Sequence, residues 1–424
     1  MLQRGLLLSW LFLGGAIASA QEPPALAKDG PPPPGTPGAD AVRFTTDAVA
    51  PTSHEISAED VPDHDPRICR RWLVGAEYNL WLIKKASTPP LVTTGRNTDP
   101  LAGALSSAST RVVYGGDINL NERNGARFTL GYFLDDAEAT RVEAVYAFAG
   151  DKRVGFTIGS LGTLPGFPVL ARPFFNAQTN AEDASLVAFP GLSTGFLDVR
   201  YNSFFDSGEL NFACNAVNGC ATRLDWLAGF RFCRLRESLA INEADVINPG
   251  SPRFAGQLIQ VHDDFATDNT FYGAQVGLRG TWHYKRWALE AGAKVALGFV
   301  DRDIDIHGYT ISNGAPPLNV PAGLLALSTN SGHASSVDFA VVPEASLQIG
   351  YRFTDNIQVY FGYTFFYWNQ VYRPGDQVDR VLNPNLIPTS TTFGVPGGPA
   401  RPAAVQVSND VWLHALRFGV EFKF

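Results

Sequence analysis

From position 72 onward, apolar and polar side chains alternate with a period of two over many short stretches, which is the pattern of strands with one apolar and one polar face. The last stretch is the clearest. Trp412, Leu416, Phe418, Val420, Phe422 and Phe424 share one face, broken only by His414, while Arg417, Gly419, Glu421 and Lys423 take the other. Trp72, Val74, Ala76, Tyr78, Leu80 and Leu82 likewise oppose Gly75, Glu77 and Asn79. Phe128, Leu130 and Tyr132 oppose Arg127 and Thr129, and Val142, Ala144, Tyr146 and Phe148 oppose Arg141 and Glu143. Further along, Trp287, Leu289, Val295, Leu297 and Phe299 oppose Glu290 and Lys294, and Ile357, Val359, Phe361 and Tyr363 oppose Gln358 and Thr364. One face suits lipid and the other a wet lumen, so the pattern predicts an all-β fold, a transmembrane antiparallel up-and-down β-barrel.

The connections support the same architecture, because bacterial barrels alternate short periplasmic turns with longer outer loops. Short connections fall near 135–136, 214–220, 285–286 and 354–356, and long ones near 84–123, 151–195, 242–268, 307–335 and 374–405. They interleave without exception, which gives ten strands with the N- and C-termini both periplasmic. If 111–119 pairs with 127–134 as a hairpin in the membrane, the number rises to twelve. Stretches such as 224–241 and 337–353 exceed the roughly 9 to 11 residues a spanning strand needs, so the barrel is expected to project from the membrane on the loop side.

The N-terminal region changes the picture in one respect, the compartment. Residues 1–20 carry Arg4, an apolar run from Gly5 to Leu13 and the small-residue sequence Ala18-Ser19-Ala20, as a cleavable signal peptide does. Residues 21–66 are rich in Pro, Ala and acidic residues and predict a disordered periplasmic leader, leaving 67–424 as an outer-membrane β-barrel. No later stretch has eighteen consecutive apolar residues, and near-zero mean hydropathy fits a barrel, whose alternation conceals its apolar face. Loss of Arg4 takes the formal charge from -8 to -9, which argues against a nucleic-acid surface.

Four cysteines, Cys69, Cys214, Cys220 and Cys233, would meet an oxidising compartment after export. Cys214 and Cys220 flank a turn-rich segment, and a local disulfide between them is left open. Their spacing with Cys69 and Cys233 matches no zinc pattern, and no metal site or cofactor is expected. His262-Asp263-Asp264 is the best rim cluster for hydrolytic chemistry, followed by His307 with Asp303 and Asp305. Acidic loops are more often simply solvated, and no nucleophile elbow or phosphate loop appears, so an enzyme is not expected. Arg373-Pro374-Gly375-Asp376 is taken as a turn at a strand exit, with Arg373 able to pair with Asp376 across it.

Several blocks resemble the type-seven β-barrel porin family of planctomycete bacteria, over about residues 72–424. They include Ala76-Glu77-Tyr78-Asn79-Leu80-Trp81, Gly125-Ala126-Arg127-Phe128-Thr129-Leu130-Gly131-Tyr132, Pro173-Phe174-Phe175-Asn176, Phe339-Ala340-Val341-Val342-Pro343-Glu344 and Arg373-Pro374-Gly375-Asp376-Gln377. The resemblance implies an outer-membrane barrel and a porin role; it brings no binding or catalytic residues with it.

The lumen-facing register holds Arg127, Arg141, Arg223, Arg231, Arg279, Lys294, Arg352 and Arg417 against Glu77, Glu143, Asp225, Glu290, Glu344 and Glu421. A ten-stranded lumen can be nearly filled by such paired side chains, whereas twelve strands leave a narrow channel. Two functions therefore stay open: a porin-like passive channel for small polar solutes, or a plugged structural or surface-interaction barrel. The partners expected are outer-membrane lipid and the barrel-assembly machinery, with a monomer as the default. Phe418, Phe422 and Phe424 form the assembly signal, because an open edge in lipid is costly and the last strand must pair with the first.

Overall fold

The computed structural model describes residues 71–424, apart from 121, 162–167 and 316. The chain divides into Met1–Asp65 and Pro66–Phe424, and only the second unit contains described residues. The signal-peptide and leader segments, and Cys69, lie outside the described residues.

In chain order the strands are β1 (Trp72–Ile83), β2 (Ala86–Gly95), β3 (Arg111–Ile118), β4 (Arg123–Phe133), β5 (Thr140–Ser160), β6 (Val169–Asn176), β7 (Ala181–Ala188) and β8 (Ser193–Asn218). They continue as β9 (Thr222–Ile247), β10 (Leu258–Tyr284), β11 (Trp287–Ser312), β12 (Asn319–Val320), β13 (Gly332–Arg352), β14 (Ile357–Tyr372), β15 (Val381–Leu382) and β16 (Ser408–Lys423). Ten of them close a ring in the order β1, β4, β5, β8, β9, β10, β11, β13, β14, β16, and β16 pairs back onto β1. Closure leaves no open edge, as a barrel in lipid requires. The closing register runs from Leu73 opposite Lys423 to Ile83 opposite Leu413. The twelve-strand alternative fails because β3 pairs with β2 and not with β4.

Outward side chains mark where lipid lies. On β11 they are apolar from Trp287 to Phe299 and then become Asp301, Asp303, Asp305 and His307. Those twelve residue steps, at about 3.3 Å each and a tilt of about 40°, rise roughly 30 Å, the thickness of a hydrocarbon core. Aromatic pairs line both margins: Trp72 with Tyr132 (4.8 Å) and Trp287 with Tyr351 (5.0 Å) at the short-turn end, Phe232 with Tyr272 (5.4 Å) and Phe299 with Phe339 (6.1 Å) at the other.

Much of what sequence assigns to long loops is strand. β9 and β10 continue to Ile247 and from Leu258, so the connection expected at 242–268 shrinks to 248–257. The neighbours β8, β9, β10 and β11, of 26 or 27 residues each, thus form one tall wall beyond the lipid band. Its inner face there is apolar, with Leu197, Val199, Tyr201, Leu239, Ile241, Phe265 and Ile304 all buried. Against this wall packs a second sheet, β15-β6-β2-β3 with β7 on β6, through Leu91, Val92, Leu170 and Phe174. The long connections therefore fold into a cap seated within the tall wall.

The Cys214–Cys220 disulfide is not formed; both are free thiols, Cys214 half-buried and Cys220 exposed. The β8–β9 ladder continues past Cys214, which lies opposite Trp226, to Asn218 opposite Arg223. Four extended residues separate Cys214 from the hairpin tip by roughly 13 Å, beyond disulfide reach.

Candidate functional site

The lumen is where the ten strands direct their chemistry, and along several strands the inward positions pass from polar in the lower lumen to apolar near the cap. β1 presents Glu77 and Asn79, then Trp81 and Ile83; β9 presents Asp225 and Arg231, then Cys233 and Leu235. The result is a stack of layers.

The apolar layer lies under the cap. It contains Trp81, Ile83, Ala149, Phe205, Cys233, Leu235, Phe271, Ala296, Val342, Phe366, Trp368 and Leu413, contributed by nine of the ten ring strands and all buried. The rings interlock edge to face: Trp81 on Phe205 (6.0 Å), Phe205 on Phe366 (5.4 Å) and Phe271 on Trp368 (6.3 Å). The tenth strand, β4, contributes Gly125. A Cβ there would lie 2.0 Å from the Phe148 carbonyl oxygen and 2.7 Å from Trp81 Nε1, so only glycine lets the indole swing across and donate to Phe148 O at 3.1 Å.

Beneath it lies a buried charged tier. Arg231 bridges Glu209 (2.6 Å) and Glu344, and Lys294 reaches the same two carboxylates at 2.8 and 3.0 Å. Arg127 lies 3.6 Å from Glu344 and 3.9 Å from Glu77, and Glu77 also meets Arg417 (3.4 Å) and accepts from Tyr360 (2.9 Å). Four cations thus face three carboxylates, Arg231 with no exposure at all. Such a tier is tolerable in low dielectric only because each charge has an opposite charge within 4 Å.

Towards the short turns the network opens. Arg279 donates to both oxygens of Glu143 (2.8 and 2.9 Å), and Arg141 forms an ion pair with Glu143 at 2.5 Å. Arg223 holds Asp225 at 2.8 Å, and Glu290 lies 3.8 Å from Arg279. Glu421 and the exposed Arg352 stand at the margin of this mouth. All fourteen expected lumen residues thus point inward, six in the buried tier and eight at the mouth. Glu209 is absent from the expected lumen residues, although it lies in the stretch between the connections expected at 151–195 and 214–220, where Leu210 and Phe212 alternate with Glu209 and Asn211 in the expected manner.

Above the apolar layer, Arg373 does not pair with Asp376. Its guanidinium donates twice to Glu237 (2.8 Å each) and to the Lys84 and Lys85 carbonyls, while Asp376 accepts from Asn409. Arg172 joins the cap to the tall wall in the same way, through Glu243 (3.2 Å) and Asp263 (2.6 Å). Asp245 lies beside Glu243 in that cluster, and burial, reinforced by the Glu243 charge, pushes its carboxyl well above the usual range.

The rim tripeptide is divided by strand geometry. Asp263 points inward, where one oxygen accepts from the Leu324, Leu325 and Ala326 amides. His262 and Asp264 point outward, His262 bonded to Asn242 (2.7 Å) and stacked on Tyr309, Asp264 opposite His307. Asp303 and Asp305 are held by His333 instead of His307. His414 lies on the outer face among Trp412, Tyr363 and Phe365.

A closed ten-stranded ring with an apolar belt and an inward charge network defines an outer-membrane β-barrel. Residues 72–424 match the family described as "Putative beta barrel porin-7 (BBP7)", and the chain belongs to that family. No curated protein sequence matches it. Among solved structures it is similar to the outer membrane protease OmpT from Escherichia coli, at 10% identity and a TM-score of 0.41, covering 84% of this chain and 97% of that one. A Pseudomonas aeruginosa FadL homologue (8%, TM-score 0.23) and the P. putida toluene transporter TodX (9%, TM-score 0.21) each match over 84% of this chain and 90% of theirs. Likenesses this distant carry no inference about substrate or activity.

Proposed function

We propose that this chain is a non-enzymatic outer-membrane barrel with a closed lumen, serving a structural or surface-interaction role through its cap. In this reading the signal peptide directs export, the short turns and both termini are periplasmic, and the cap faces outward. The barrel stands as a monomer in lipid after the assembly machinery engages β16. The observation that supports closure is the apolar layer, in which Trp81, Phe205, Phe271, Phe366 and Trp368 meet across the lumen with 6% exposure or less. Bare ions and polar solutes would lose their hydration there without compensation. Planar-bilayer recording of the refolded mature protein tests this: a silent bilayer is expected, and regular unitary currents would overturn it.

A passive channel for small polar solutes is the second reading, favoured by the family's porin description and by the charged mouth. It requires the apolar layer to part. Currents that appear in the unaltered protein would support it, whereas currents seen only after Trp368→Gly and Phe205→Gly would support closure.

A further inference from the structure

The short-turn mouth of the lumen opens into a cavity of about 650 Å³, within the size range of small-molecule sites. Its inner end is blocked by the charged tier and the apolar layer. The charges on its floor satisfy one another, Arg279 on Glu143 and Arg223 on Asp225. Two groups on its wall do not. Among the described residues, neither the Arg352 guanidinium nor the Glu421 carboxylate makes an ion pair or side-chain hydrogen bond, although both line the cavity. They occupy one cross-strand row, Arg352 opposite Gln358 and Gln358 opposite Glu421. Two strand spacings of about 4.8 Å place their Cα atoms roughly 10 Å apart. Glu290, held by a cation only at 3.8 Å, lines the same cavity and enlarges the negative pole.

We infer that this vestibule binds a small zwitterion of dipeptide size, with its carboxylate on Arg352 and its ammonium on Glu421 and Glu290. A simple anion or cation would engage one pole only, whereas a zwitterion engages both through charge-assisted hydrogen bonds. Gln358, midway between the poles, is placed to meet a peptide amide.

Calorimetry on the refolded mature protein tests the site with L-alanyl-L-alanine as probe. The comparison ligands are N-acetyl-L-alanyl-L-alanine, which lacks the ammonium, and L-alanyl-L-alaninamide, which lacks the carboxylate. The dipeptide is expected to bind about tenfold or more tighter than either, one charge-assisted contact being lost in each. Arg352→Gln should abolish the preference over the amide and keep the preference over the acetylated form; Glu421→Gln should do the reverse. No heat with any ligand, equal binding of all three, or preferences that survive both variants would overturn the assignment. Both residues lie at the mouth and outside the buried tier, and folded variants are recognised by their retained heat-modifiable migration. Binding is measured without current, so it stands or falls separately from the closed-lumen reading.

Discussion

Glu344→Gln separates a dry lumen from a wet one by stability alone. Glu344 is 7% exposed, accepts from Arg231 and forms ion pairs with Lys294 at 3.0 Å and Arg127 at 3.6 Å. The amide keeps the volume and removes the charge, so the tier passes from four cations on three carboxylates to four on two. Breaking a buried pair on one side costs about 3 to 5 kcal/mol, because the partners stay buried without compensation. In a water-filled channel the same pair is worth only about 0 to 1 kcal/mol, since solvent screens it. The two lumens therefore differ by about 2 to 5 kcal/mol in this one substitution. With a urea m-value near 3 kcal/mol/M, a loss of about 4 kcal/mol lowers the unfolding midpoint by about 1.3 M. Equilibrium unfolding in lipid vesicles, followed by tryptophan fluorescence, measures it. A midpoint shift below about 0.3 M, the screened limit, would refute the dry tier and with it the closed lumen.

Three further outcomes are expected. Deleting Phe422 to Phe424 removes the Trp72–Phe424 backbone pair (2.8 and 3.0 Å) and the Lys423 N–H bond to Asn356 (2.9 Å), each worth about 1 to 3 kcal/mol when left unsatisfied. The chain should then be absent from the outer-membrane fraction, and normal levels there would show that closure does not depend on this end. Because the folded cap holds the Asp245 proton more tightly than the unfolded chain does, that contribution is complete below the ordinary carboxylate value of about 4 and is lost as pH rises towards the higher folded value. Asp245→Asn, which cannot titrate, should therefore gain stability relative to the parent as pH rises; a gap in urea midpoint that stays constant with pH contradicts this. A polar maleimide should label the exposed Cys220 in the native protein and reach Cys233, buried in the apolar layer, only after unfolding, so native labelling of Cys233 would argue for an accessible lumen.

How much was legible in the sequence follows from the range of each interaction. Alternation within one strand decides which side chains face lipid, and Trp287 to Phe299 or Phe418, Phe422 and Phe424 need no partner to reveal it. The ten strands, the β1–β16 closure and the inward charges follow from that period and from the need to leave no edge in lipid. What fills the lumen depended on which inward residues meet across it, and such contacts join positions far apart in the chain. Arg373 finds Glu237 136 residues away, Arg279 finds Glu143 at the same separation, and Trp368 meets Phe271. The local expectation that Arg373 would pair with Asp376 lost to that distant carboxylate. The cap escaped notice for the same reason: β6 is buried on both faces between β2, β7 and β15, so its segment shows little alternation to read. Strand period is a property of neighbours in the chain, whereas filling a barrel depends on neighbours in space, and only the tertiary structure decided the second.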